Sequence, residues 1–127
     1  MPTSFISKLT ANAQADPTRA ALTCGEVTLT RAELVARAGQ TAARLAQLGV
    51  HAGDTVSIVL PNSIDAVVTA VAAWWLGATP QPVSDRLPAV ERDAIIELAR
   101  PSLVVDAPLA VDAGLAAPPD AIAPVWK

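Results

Sequence analysis

The fold of this chain is decided by residues 48–84, which read LGVHAGDTVSIVLPNSIDAVVTAVAAWWLGATPQPVS. Residues 55–60 (TVSIVL) are mostly β-branched and carry no charge. Such a run is typical of a parallel strand that is buried on both faces. Gly53 and Asp54 precede it as a turn. We therefore predict a buried strand at this position.

A helix is predicted directly after this strand. Asn62 or Ser63 can act as its N-cap, because a short polar side chain accepts a hydrogen bond from the first turn. The apolar run that follows is shorter than the roughly 20 residues that a bilayer requires, so it indicates a buried helix. The helix should extend to about Leu76 and end at Gly77.

A second and a third strand, separated by a helix, are predicted further along. Residues 78–83 form the second strand, and Pro80 and Pro82 favour an edge position or a strand end because proline cannot donate to a neighbouring strand. The next helix should open at Leu87 and Pro88, with proline at its first position, and end before Pro101; residues 103–105 form the last strand. We expect the apolar cover of this helix to come from the side chains of Ile95, Ile96, Leu98 and Ala99.

Upstream, a short helix and a hairpin come before a long helix. Thr3 or Ser4 can cap the first helix, which should end at Asp16 because a proline follows. Residues 20–24 and 26–29 are two short strands around Gly25, which suits a tight turn.

The long helix opens with a capping box, in which Thr30 and Glu33 bond each other's backbone amides. It should continue to about Leu48 and end at Gly49. Its predicted buried face comprises Leu34, Ala38, Ala42 and Leu45.

The alternation of helices and strands predicts an α/β fold: a mainly parallel sheet flanked by helices, with a short N-terminal β-hairpin. We expect residues 1–105 to form one α/β subdomain and residues 106–127 to be a Pro/Ala-rich, linker-like tail.

Composition narrows the classes of function. The chain has 127 residues, a net charge of −3 and no basic stripe, which argues against nucleic-acid binding. Because Cys24 is the only cysteine, no internal disulfide can form, and we expect a cytoplasmic location. The sequence offers no secretory signal and no membrane span.

No catalytic, cofactor-binding or metal-binding residue is nominated from the sequence. The glycines match neither a dinucleotide fingerprint nor a phosphate loop. His51 is the only histidine, which argues against a zinc site or a catalytic triad, and we interpret it as a surface residue and Cys24 as a small packing residue. The acids Asp85, Glu91 and Asp93 are interpreted as solvated residues near a helix start.

Trp74 and Trp75 are the most unusual pair in the chain. Adjacent helix residues point about 100° apart, so both cannot face the same surface. We expect one to fill the core and the other to face another element, a ligand or solvent.

Several sequence motifs, taken together, resemble the N-terminal segment of the adenylate-forming superfamily. They are ALTCGEVTLTRAEL, LGVHAGDTVSIVLPNSIDAV and LGATPQPVSDRLPAVERDAIIELARPSLVV, which together span residues 20–105. The superfamily contains acyl-CoA synthetases, luciferase-like enzymes and the adenylation domains of peptide synthetases. The sequence of residues 78–88 (ATPQPVSDRLP) is most similar to the acyl-CoA, bile-acid-CoA or steroid-CoA ligase branch.

This resemblance implies a two-step reaction for a parent enzyme. A carboxylate attacks the α-phosphate of ATP, giving an acyl-adenylate and pyrophosphate, and the thiol of CoA then takes the acyl group; ATP, Mg²⁺ and CoA would serve that parent. The family's phosphate loop and later nucleotide motifs have no counterpart here, although residues 124–127 (PVWK) resemble the approach to that loop. Lys127 is not assigned the role of the loop lysine.

The sequence thus favours an N-terminal fragment of an acyl-CoA synthetase, a scaffold that is inactive alone and whose partner is the remainder of the parent enzyme. Exposed strand edges could also support a homo-oligomer. Two alternatives stay open: a natural non-catalytic interaction or ligand-binding module, and the start of a peptide-synthetase adenylation domain.

Overall fold

The computed structural model describes residues 5–111 and 116–118. The predicted caps at Thr3 or Ser4 lie outside these residues. The helices and strands follow the predicted order: α1 (Phe5–Ala15), β1 (Ala20–Cys24), β2 (Val27–Thr30), α2 (Arg31–Gln47), β3 (Thr55–Ile58), α3 (Ile64–Trp75), β4 (Thr79–Pro82), α4 (Ala89–Ala99) and β5 (Leu103–Val105).

Two sheets are present in the described part of the chain. β1 and β2 form an antiparallel hairpin whose turn glycine, Gly25, has a φ of +60°, a left-handed conformation that glycine adopts without strain. β3, β4 and β5 form a parallel sheet in the order β4–β3–β5. The predicted α/β class is therefore confirmed, and of the two alternatives left open for Pro80 and Pro82, an edge strand or a strand end, β4 is an edge strand.

The parallel sheet has one well-covered face and one thinly covered face. Val56 and Ile58 of β3 belong to the main hydrophobic core together with residues of α2 and α3. Because side chains alternate along a strand, Ser57 points to the other face. There its hydroxyl donates to the side-chain oxygen of Gln81, whose amide donates to the Ile95 carbonyl of α4 at 3.1 Å. The sheet therefore lies between α3 and α4.

Small side chains let α2 and α3 pack closely. Ala38 and Ala42 of α2 and Ala72 and Ala73 of α3 are fully buried in the same core. Leu45 completes the buried face of α2 that the sequence predicted. Since apolar burial contributes about 25 cal/mol per Å², this shared core is the main stabilising feature of the unit.

The predicted capping box at the start of α2 is also confirmed. The Thr30 hydroxyl accepts from the Glu33 amide at 3.1 Å, and the Thr30 amide donates to the Glu33 carboxylate at 2.9 Å. The bond from the Thr30 backbone, the largest cause, holds the pKa of Glu33 below its ordinary value of 4.5. Gly49, with a φ of +96°, follows the helix end as expected.

Two expectations for α4 are wrong. Pro88 lies at the N-cap rather than at the first helical position, and the helix begins at Ala89. More importantly, no residue of α4 is buried, and Leu98 is 86% exposed. The reason is that α4 meets a narrow, partly polar face of a three-stranded sheet, which cannot cover its apolar side chains.

Candidate functional site

A cleft lies at the carboxyl ends of β3 and β4. Its volume is about 640 Å³. In open α/β sheets, ligands bind outside the carboxyl ends of the parallel strands. The residues that line it are Ile58, Leu60, Pro61, Asn62, Ala66, Ala70, Trp74, Pro80, Pro82, Val83, Ser84, Asp85 and Arg86.

Two strand-to-helix turns form the floor and rim of this cleft. In the first, the Ser63 hydroxyl donates to the Pro61 carbonyl at 2.8 Å and accepts from the Ala66 amide at 3.2 Å, which holds the turn against the start of α3. In the second, the Val83 amide donates to the Ile58 carbonyl at 2.9 Å, and the Arg86 amide donates to the Ser84 hydroxyl. The register of β3 and β4 therefore places both turns side by side.

One face of α3 forms the wall of the cleft. Ala66, Ala70 and Trp74 follow one another at intervals of four residues, so they lie along the same side of the helix. The two alanines leave open space, and Trp74 closes the far end. The Trp74 ring packs edge-on against Phe5 of α1, with ring centroids 5.2 Å apart and an angle of 68°.

The chemistry of the cleft is an apolar wall with a polar rim. Asn62, Ser84, Asp85 and Arg86 provide that rim. Among the lining residues Arg86 is the single cation, and the acid Asp85 lies next to it. This donor set does not fit a triphosphate, which requires several cations or backbone amides that converge on the phosphates. We therefore assign no step of ATP chemistry to these residues.

The structure separates the two tryptophans as the sequence predicted. Trp75 is 6% exposed and belongs to the core between α2 and α3, whereas Trp74 is 40% exposed and lines the cleft. The Trp75 indole N–H donates to the Pro118 carbonyl at 2.6 Å. Sequence reasoning missed this contact, because nothing local indicates which residue lies opposite an indole 43 positions away.

The other residues considered from the sequence are not brought together in one site. His51 is exposed, with its ring 3.8 Å from Asp54. Cys24 is half-buried and packs against a small second core between β2, α2 and α3. Asp85 lines the cleft, Glu91 lies in the first turn of α4, and Asp93 is 3.6 Å from Arg92.

Sequence reasoning considered Asn62 only as a helix cap and did not name Ser84 or Arg86, so it missed these three rim residues as site residues. Each lies just after a predicted parallel strand, which is the signal that could have indicated them.

The described residues provide neither a metal-binding cluster nor a membrane-spanning helix. No group of three or more histidine, cysteine, aspartate or glutamate side chains there could hold a metal ion. None of the helices in residues 5–111 is long and apolar enough to cross a membrane.

Comparison with known proteins identifies the family. The model of the AMP-binding enzyme family matches residues 9–124. Tyrocidine synthase 3 of Brevibacillus parabrevis is 38% identical over 72 residues, which are 57% of this chain and 1% of that protein. Uncharacterized protein Rv1549 of Mycobacterium tuberculosis is 34% identical over 106 residues, which are 82% of this chain and 61% of that protein.

Solved structures give the same family. The inhibitor-bound N-terminal domain of FACL13 from Mycobacterium tuberculosis superposes with a TM-score of 0.76 and 28% identity, covering 81% of this chain and 26% of that one. The o-succinylbenzoate CoA synthetase MenE from Bacillus subtilis, in complex with its acyl-adenylate intermediate, gives 0.74 and 30%, covering 85% and 28%.

The fold and the family match place this chain in the adenylate-forming superfamily. The chain belongs to the AMP-binding enzyme family. It spans 1% of the length of tyrocidine synthase 3, 61% of Rv1549 and about a quarter of the FACL13 and MenE chains.

Proposed function

We propose that this chain is the N-terminal scaffold segment of an adenylate-forming ligase that converts a carboxylate to an acyl-adenylate and then to an acyl-CoA. The observation that carries the proposal is the superposition of the helices and strands on one part of MenE, a CoA synthetase whose structure contains an acyl-adenylate. The parent enzyme would use ATP, Mg²⁺ and CoA and would act in the cytoplasm.

In such an enzyme these residues form a rigid structural layer and do not perform the chemistry. The α2–α3 core is closely packed, and the cleft has an apolar wall with one cation on its rim. Stabilising the phosphates of ATP requires converging donors and a metal ion. We infer that those groups come from the remainder of the parent enzyme.

A second candidate is the start of a peptide-synthetase adenylation domain. Tyrocidine synthase 3 favours it, and so does pyochelin synthase PchD of Pseudomonas aeruginosa, which is 40% identical over 77 residues. A longer match points the same way, because hybrid PKS-NRPS synthetase buaA of Petromyces alliaceus is 30% identical over 105 residues, which are 82% of this chain. A carrier-protein motif encoded downstream would favour the peptide-synthetase reading.

A third candidate is a non-catalytic α/β module that binds a partner or a small hydrophobic ligand. Protein Rv1549 supports it, because 106 aligned residues already make up 61% of that protein. Rv1549 would then be a short relative that contains the same α/β unit. The cleft with its apolar wall is the place where such a module would bind a ligand.

The first test is to read the coding DNA beyond the codon for Lys127. A frame that continues into a Thr/Ser/Gly-rich loop ending in lysine supports the ligase proposal, whereas an immediate stop codon contradicts it for this gene product and favours the module.

Pyrophosphate exchange is the biochemical test of the scaffold role. The purified 127-residue chain is incubated with ATP, Mg²⁺, labelled pyrophosphate and a panel of carboxylic acids, beside intact MenE as the positive control. We expect label in ATP from MenE with its own substrate and only background from the chain. Exchange by the chain above background would contradict the inactive-scaffold proposal.

A further inference from the structure

Ala117 and Pro118 lie against the α2–α3 pair, far along the chain from both helices. The Pro118 carbonyl accepts from the buried indole of Trp75 at 2.6 Å. Leu109 and Val111 also lie on this face, where they line a small recess together with residues of α2 and α3. Four described residues that follow β5 thus lie on the same two helices.

Gly39 is the point of closest approach. It lies in the middle of α2, where glycine is less favourable than alanine because it loses more backbone freedom. A Cβ at this position would be 2.6 Å from the Cβ of Ala117 and 3.3 Å from the Trp75 ring. Real Cβ atoms do not approach another atom as closely as 2.6 Å, so Ala117 can lie here only because residue 39 has no side chain.

We propose that Gly39 and Trp75 form an intramolecular docking seat for Ala117 and Pro118, which fixes the path of the chain as it leaves the α2–α3 layer. Gly39 provides the space and the Trp75 indole provides the hydrogen bond. Both act as positioning residues for Ala117 and Pro118. This inference concerns the folding of the chain itself and does not depend on the adenylate-forming proposal.

The substitution Gly39→Ala tests the seat by the sign of its effect. In an otherwise unobstructed helix, alanine is favoured over glycine and should raise the melting temperature. If the seat is occupied by Ala117, the added methyl group must displace the segment. We then expect the melting temperature to fall by a few degrees and hydrogen exchange in a peptide covering residues 106–118 to become faster.

Ala117→Gly provides the rescue. It removes the Cβ that a methyl group at residue 39 would meet, so the double variant G39A/A117G should recover most of the lost melting temperature and protection. A melting temperature that rises in G39A, or a double variant that shows no recovery, would overturn the proposal.

Trp75→Phe tests the hydrogen bond separately, with Trp74→Phe as the matched control on the neighbouring residue. The indole N–H signal of Trp75, assigned in a nitrogen–proton spectrum by its loss in W75F, should exchange slowly in the wild-type chain and in W74F, and faster in G39A. We expect W75F to speed exchange in residues 106–118 while W74F does not. Equal effects of the two substitutions, or a rapidly exchanging Trp75 indole in the wild type, would show that the seat is not occupied.

Discussion

Thr30 is the residue that caps the start of α2, through both its side chain and its backbone. Its hydroxyl and amide both bond to Glu33, so two groups that a helix start leaves without partners are satisfied at once. We predict that Thr30→Ala lowers the free energy of unfolding by about 1 kcal/mol, the usual effect of removing an N-cap. Urea denaturation followed by circular dichroism measures this, and Thr28→Ala on the adjacent strand is the control for the loss of a hydroxyl outside the cap. An unchanged midpoint for Thr30→Ala would contradict the prediction.

The same cap predicts a pH dependence. The pKa of Glu33 is lowered in the folded chain, chiefly by the bond from the Thr30 backbone, so its ionised form is favoured by folding. Its contribution is therefore fully present above the ordinary pKa of 4.5 and is lost as the pH falls through the lower, folded value. We expect the difference in stability between the wild type and Glu33→Gln to shrink as the pH is lowered below about 4.5. A difference that stays constant from pH 7 to pH 3 would contradict this.

The helices differ in how firmly they are held. α2 and α3 share a core in which the alanines and Leu45 are fully buried. Replacing Leu45 with a smaller residue therefore leaves a cavity. We predict that Leu45→Ala lowers the free energy of unfolding by about 2–5 kcal/mol. The matched control is Leu98→Ala on exposed α4, which should change it by no more than about 0.5 kcal/mol. Similar losses for the two variants would show that α4 is packed as tightly as α2.

α4 should be among the first elements to open. It has no buried residue, and Gln81 ties it to the sheet through the Ile95 carbonyl. We predict faster hydrogen exchange in residues 89–99 than in residues 31–47, and a further increase in α4 after Gln81→Ala. Gln47→Ala, which removes an exposed glutamine from α2, is the control and should leave α4 unchanged. Equal exchange in the two helices would contradict the prediction.

At the scale of the whole molecule, the parallel sheet is narrow and partly open. β5 pairs with β3 on one side, and in the described residues its other side has no strand, while Val104 is 40% exposed. Exposed strand edges favour association between chains. We predict that sedimentation velocity shows reversible self-association and that Val104→Lys weakens it, because a charge on an edge opposes pairing. Val90→Lys on exposed α4 is the control. A monodisperse monomer at all concentrations would contradict the prediction.

The structure shows which parts of the fold follow from local pattern. The capping box, the glycines at the turns and helix ends, and the β-branched run at residues 55–60 were sufficient to predict the order of elements, because they act through neighbours in sequence. The family resemblance rests on the same marks. The exposure of α4 could not be predicted, since its apolar residues give the same pattern whether or not another layer covers them.

The sequence by itself determined the α/β class, the capping box of α2 and the divergence of Trp74 from Trp75. Only the tertiary structure decided which tryptophan is buried, that the turns after β3 and β4 enclose one cleft, and that Ala117 lies on Gly39. The physical reason is range. Caps, turns and strand propensity depend on residues a few positions apart, whereas the cleft and the docking seat depend on which surfaces meet when the whole chain packs.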